Sequence, residues 1–185
     1  MFFYSDNINF ASESKKEMKS SITTEHIKEA RAKYDSYGNE WEKAYFDENS
    51  GGFNVYHIKH KFTPTGGGGE AEKTVGNMLA KLGKQVEFLP EGKRKSADLM
   101  FDDQKWDIKY INEANIATIR SAIRNARKAD NAIFFWDTNE KLIDLCNATN
   151  RETGRLLKRQ TVFLPDIYYI NKNGLLNLLW SKKRD

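Results

Sequence analysis

Asp98, Asp107 and Lys109 have the types and spacing that best fit a chemical task. They fall within the stretch SADLMFDDQKWDIKY, residues 96–110, which predicts two short strands joined by a polar turn. Leu99, Met100 and Phe101 carry the first strand, Asp102, Asp103 and Gln104 supply the turn, and Trp106, Ile108 and Tyr110 alternate along the second. Side chains of a strand repeat every two residues, so Asp107 and Lys109 share a face. Pairing of the two strands would bring Asp98 beside Asp107, and two carboxylates and an ammonium would converge. Such a set suits phosphodiester hydrolysis. A hard divalent cation such as Mg²⁺ takes one or two carboxylates together with waters and phosphate oxygens, and a nearby lysine orients the attacking water or stabilises the charged transition state. The bland alternative for Asp-x(8)-Asp-x-Lys is a solvated strand face.

The flanking elements decide whether these groups can be positioned. Upstream, the periodicity predicts a helix over 70–82 with Val75, Met78, Leu79 and Leu82 as its apolar stripe and Gly83 as its terminator. Glu72 borders that stripe and can face the sheet, or can simply complement the helix dipole in the first turn. The stretch PTGGGG, residues 64–69, reads as a flexible hinge. It lacks the Gly-Lys-Ser/Thr ending of a nucleotide-binding loop and leads into acidic residues, so triphosphate binding there is excluded. A strand over 85–89 follows, and the basic residues Lys93, Arg94 and Lys95 lead directly into Asp98. After Asn115 a helix turns Ile116, Ile119, Ile123 and Ala126 inward, with Arg120, Arg124, Arg127 and Lys128 on a second face suited to gripping phosphates. The run NAIFFWD, 131–137, is a buried strand.

Nearer the start, residues 1–22 read as a polar arm. Thr23 caps a helix with Ile27, Ala30 and Tyr34 on one face, and the spacing of Trp41 and Tyr45 predicts a second helix over 39–46. A strand over 53–58 carries His57, with His60 just beyond. The two imidazoles are candidates for acid–base work or ordinary strand-end residues. Beyond Thr138 the chain predicts a helix through Ile143 and Leu145, then a basic connection with Arg151, Arg155, Lys158 and Arg159. Strand material over 161–164 and 167–170 follows, and a hairpin closing at Asn173-Gly174 and returning to Trp180. Four stretches result: an arm over 1–22, a helical and strand region over 23–65, a core over 66–137, and a C-terminal extension of the same domain over 138–185.

With 185 residues, 39% hydrophobic, 12% aromatic and 30% charged, the chain can build one ordinary domain with an appendage. No run approaches the roughly 18–20 apolar residues of a membrane span, and the start carries no signal-peptide pattern. Cys146, the single cysteine, excludes an internal disulfide and a Cys₂His₂ cluster. It lies in a helical stretch and reads as a small packed residue rather than a nucleophile. The formal charge of +4 points mildly to a polyanionic partner.

The order helix, strand, strand, strand, helix, strand, with Glu72 on the first helix, Asp98 on the second strand and Asp107-Ile108-Lys109 on the third, resembles the PD-(D/E)xK nuclease superfamily. Ala97 stands where that family often has proline. The segments GGGGEAEKTVGNMLAKLGKQVEFLPE and GKRKSADLMFDDQKWDIKYINEANIATIRSAIRNARKADNAIFF further resemble the C-terminal nuclease domains of contact-dependent growth inhibition toxins and related domains of phage minor head proteins. The resemblance covers roughly residues 66–137. It implies an α/β (α+β) fold in which a central mixed β-sheet with a restriction-endonuclease-like core is flanked by helices, with added N-terminal helices and a C-terminal hairpin. It implies a nuclease acting on RNA, transfer RNA above all, or on DNA. Its catalytic residues would be Glu72, Asp98, Asp107 and Lys109, and a divalent cation, Mg²⁺ or another, would sit on the three carboxylates. Lys93, Arg94, Lys95, Arg120, Arg124 and Arg127 would hold the nucleic-acid backbone. An immunity protein or phage capsid or portal proteins would be partners, and the site of action the bacterial cytoplasm or a virion. Part of the family cleaves RNA without metal through the 2′-OH, for which Lys109, Thr118, Arg120, Arg124 and His57 or His60 are the candidates. An inactive nucleic-acid-binding or virion-associated module is the third reading.

Overall fold

Thr23 opens the first helix by the means its sequence suggests: its hydroxyl oxygen accepts a hydrogen bond from the His26 amide at 3.2 Å, and α1 (Thr24–Ser36) buries Ala30 and Tyr34. The computed structural model describes residues 23–62, 68–92, 96–158 and 163–182. The expected arm over 1–22, most of the hinge at 63–67, the basic residues Lys93, Arg94 and Lys95, the segment 159–162 with Arg159, and the last residues 183–185 lie outside them.

The segment expected as a second helix is a strand, β1 (Trp41–Phe46), paired antiparallel with β2 (Phe53–His57). A spacing of four residues puts two side chains on one face of either a helix or a strand, so Trp41 and Tyr45 did not discriminate between them. The register shifts between Lys43 and Tyr45. This bulge puts Trp41 and Phe46, five residues apart, against the same cluster of Tyr34, Phe53 and Val55.

Gly52 lets the start of β2 run against the end of α2 (Gly68–Lys81), since a Cβ there would sit 2.0 Å from the Ala80 carbonyl oxygen. That helix begins two residues earlier than its periodicity suggests, taking Gly68 and Gly69 from the expected hinge. It ends before Gly83, whose φ of +81° only glycine adopts freely. β3 (Gln85–Phe88) runs parallel to β2. β4 (Leu99–Phe101) and β5 (Gln104–Ile111) form a hairpin whose two turn residues, Asp102 and Asp103, both have positive φ, as a type I′ turn requires. Gln104, expected in the turn, pairs with Phe101 instead.

α3 (Ile116–Asn125) is capped by Asn115, whose side-chain oxygen accepts from the Thr118 amide at 2.8 Å. A 3₁₀ turn (Ala126–Lys128) follows, then the wholly buried β6 (Asn131–Trp136). α4 (Leu142–Leu157) is longer than expected and takes Arg151 and Arg155 into the helix, while β7 (Asp166–Asn171) and β8 (Leu176–Trp180) close the chain as a hairpin. Phe163 and Leu164 stand outside the strand.

These strands form one eight-stranded mixed sheet in which spatial order follows chain order. α2 covers one face through Ala71, Val75 and Leu79 against Val86, Phe88, Leu99, Trp106 and Ile108. α3 and α4 cover the other, against Ile111, Ala132, Phe134 and Ile167. The expected order of helix, three strands, helix and strand is α2-β3-β4-β5-α3-β6.

Candidate active site

The β4–β5 register sets the site. Leu99 pairs with Trp106, so Asp98 stands across from Asp107, and its amide donates to the Trp106 carbonyl at 3.0 Å. Where the ladder ends, the Asp98 carboxylate takes over the strand's role and accepts from the Ile108 amide at 2.8 Å. Trp106 and Ile108 enter the core beneath α2, so alternation turns Asp107 and Lys109 to the α3 side, together with Asp98.

Asp98, Asp107 and Lys109 thus meet. The Lys109 ammonium is ion-paired with Asp107, lies 3.9 Å from Asp98, and donates to the Ile108 carbonyl at 2.9 Å. A fourth group joins them. Lys128, at the end of the 3₁₀ turn, places its Nζ 3.1 Å from Asp98 Oδ1 and 2.8 Å from Asp107 Oδ1. Asp107 is 0% exposed. Ammonium groups reach ion-pair distance of its carboxylate, yet neither oxygen receives an aligned hydrogen bond. Burial, and after it the charge of Asp98, raise the Asp107 carboxyl against the pull of the two lysines, leaving it at about 6.

Glu72 is buried, as its place beside the apolar stripe suggests, but it comes from the helix on the opposite face. It meets His60 Nε2 at 3.3 Å. His60 Nδ1 is 2.8 Å from the Leu89 carbonyl oxygen, and Leu89 in turn bonds to Asp98 through its amide. Burial pushes the His60 pKa down, but its bonds to Glu72 and Leu89 and the charges of Glu72 and Asp98 outweigh this, leaving it raised. His60 therefore links Glu72 to the backbone of Leu89, the residue next to Asp98 across the strands. His57 sits at its strand end, edge-on to Trp41 at 5.0 Å, with Nδ1 accepting from the Lys59 amide.

The basic face divides. Arg120 is turned to Glu152 of α4, with Nε 2.9 Å and Nη2 3.2 Å from its two oxygens, and Arg155 binds the same carboxylate. The arginine partners hold the Glu152 carboxyl down at about 2. Arg120 therefore docks two helices. Arg124 is exposed and Arg127 half-buried. Thr118 Oγ1 donates weakly to Glu113 at 3.4 Å.

Spacing along one helix groups Lys128 with the arginines. The helix ends at Asn125, and the tighter 3₁₀ turn swings its last residue onto the sheet. No period in the sequence marks that turn; the short interval between Asn125 and the buried strand at Asn131 is the only local sign.

Asp98 and Asp107 suit a small hard cation, which needs one or two carboxylates, with water and substrate oxygens completing its shell. The buried Asp107 oxygens, lacking aligned donors, fit a ligand of that kind. The expected third carboxylate, Glu72, meets His60. Among the described residues no three His, Cys, Asp or Glu side chains converge in a manner that could hold a metal ion. Among the described residues, too, no helix is long and apolar enough to cross a membrane.

No protein-family model and no curated protein matches the chain. Among solved structures, it is similar to a chain of the CdiA-CT/CdiI toxin and immunity complex from Burkholderia pseudomallei, with a TM-score of 0.45 and 15% sequence identity over 66% of this chain and 96% of that one.

Proposed function

We propose that this protein is a nuclease that hydrolyses phosphodiester bonds, with Asp98, Asp107 and Lys109 as its catalytic residues. The observation that supports the reading is the convergence of these three side chains on paired strands, with Asp107 fully buried. Asp98 and Asp107 would hold a divalent cation, which when bound supplies a Lewis acid for the phosphoryl oxygen and lowers the pKa of water. Lys109, one residue from the Ile108 carbonyl that positions it, donates to the attacking water or to the non-bridging oxygen on which charge accumulates. Asp98, locked to the Ile108 amide, keeps the two carboxylates in register. Arg124, exposed on α3, and the basic residues Lys93, Arg94 and Lys95 are the candidates to hold the phosphate backbone. Glu72 acts through His60 as a positioning residue. From the sequence resemblance we carry over RNA, and transfer RNA in particular, as the substrate class. The same source supplies an immunity-type inhibitor as the partner and the bacterial cytoplasm as the site of action.

Incubating the purified protein with total RNA and with plasmid DNA, each with Mg²⁺ and with EDTA, tests this directly. Asp107→Ala and Lys109→Ala should each lower cleavage by about 10²–10³-fold or more while the circular dichroism spectrum is kept. Undiminished cutting by both variants would end the proposal. Cutting of RNA that persists in EDTA would transfer the chemistry to attack by the 2′-OH, with Lys109, Thr118 and the arginines as the working groups.

A further inference from the structure

We propose that the Lys128 ammonium is a built-in occupant of the cation position, displaced when a divalent ion arrives and then free to grip the scissile phosphate. This rests on the nuclease reading for its purpose, but its evidence is local. Lys128 Nζ bridges one oxygen from each carboxylate, Asp98 Oδ1 at 3.1 Å and Asp107 Oδ1 at 2.8 Å, the two side chains that would hold a divalent cation. Lys109 does not bridge in the same manner: it is tied to Asp107 and the Ile108 carbonyl and stands 3.9 Å from Asp98. Lys128 donates a hydrogen bond to Asp98 Oδ1, while its contact with Asp107 is close without being an aligned hydrogen bond, so one directional bond and the charge of the second carboxylate hold it there.

The fold gives Lys128 a reason to be there and a means to leave. Two carboxylates facing one another across paired strands repel, and the more deeply buried of them cannot be screened by water. A positive charge between them relieves this in the absence of a metal. The lysine ends a single 3₁₀ turn whose hydrogen bonding is weaker than a helix's, and its side chain remains 22% exposed, leaving an exit to solvent. Without a metal, the two carboxylates and two ammonium groups sum to zero, and a divalent ion adds two positive charges that repel an ammonium from the carboxylates. A phosphodiester and an attacking hydroxide, each carrying one negative charge, offset those two. With the cation bound, the site returns to neutrality only when substrate is present, with Lys128 moved from carboxylate to phosphate.

The experiment measures Mn²⁺ binding by titration calorimetry to the wild-type chain, Lys128→Met, Lys128→Gln and Lys109→Met, without nucleic acid. An internal occupant present about nine-tenths of the time weakens apparent affinity about tenfold. Lys128→Met and Lys128→Gln should therefore bind Mn²⁺ about tenfold more tightly than wild type, with a clearly smaller gain for Lys109→Met, which removes the same charge without the bridge. In the wild type, acylation of Lys128 followed by mass spectrometry should rise when Mn²⁺ is added. Equal gains in the Lys128 and Lys109 variants, or unchanged labelling of Lys128, would overturn the proposal. Wild-type cleavage of total RNA and of plasmid DNA is read alongside. Cutting of either without the Lys128 responses defeats this inference alone, whereas the Lys128 responses without cutting of either support displacement of Lys128 by the cation and defeat the nuclease reading, and with it the grip on a scissile phosphate.

Discussion

At the scale of single residues, the chemistry turns on Asp107. Burial and the charge of Asp98, opposed by Lys109 and Lys128, raise its carboxyl from 3.8 to about 6. The sign of the consequence follows from linkage. Between about pH 4 and 6 the unfolded chain has lost this proton while the folded chain keeps it, so stability falls as pH rises through that window and the penalty is fully present above it. In cation-free buffer, Asp107→Asn should therefore gain in Tm relative to wild type between pH 4 and pH 7. Cleavage should show the opposite limb, with kcat/KM falling tenfold per pH unit below about 6 as the working carboxylate is protonated. A Tm difference that stays flat across the window, or a rate profile without that limb, would show that Asp107 does not titrate as its surroundings require.

At the scale of elements, close backbone approach is as informative as side-chain packing. At Gly52 an added Cβ would lie 2.0 Å from the Ala80 oxygen and 2.9 Å from the Gly83 carbonyl carbon, and backbone cannot give way as a flexible side chain can. Gly52→Ala should cost about 1–3 kcal/mol or more, read by urea unfolding. Gly154→Ala is the internal control. It lies inside α4 with nothing within 4 Å of the new methyl, and should instead stabilise by about 0.5–1 kcal/mol. If both substitutions had the same sign, the tight junction between β2 and α2 would not be the reason for the glycine.

At the scale of the whole molecule, a sheet whose spatial order follows chain order puts α2 on one face and the site on the other, so groups from different helices reach it by different routes. The formal charge of +4 is spread over arginines with unequal tasks. Binding of single-stranded RNA should weaken with added salt, and Arg124→Ala should reduce the slope of log K against log salt by about 0.7, the value of one lost phosphate contact. Arg120→Ala should leave that slope nearly unchanged and lower Tm instead, because its guanidinium is committed to Glu152. Titration of binding against salt for both variants separates a phosphate contact from a helix dock.

The sequence alone determined which residues share one face of one element. Alternation along 106–110 placed Asp107 and Lys109 together and the hairpin turn placed Asp98 near them, because those relations depend on backbone period and on neighbours close along the chain. It could not separate helix from strand at 41–46, where the spacing fitted both and a bulge then broke the period. Only the tertiary structure decided what meets across elements: Lys128 between the carboxylates, Glu72 against His60, Arg120 against Glu152. Those contacts depend on strand register and helix docking, where a shift of one residue or a single 3₁₀ turn redirects a side chain, and no local pattern in the chain records that geometry.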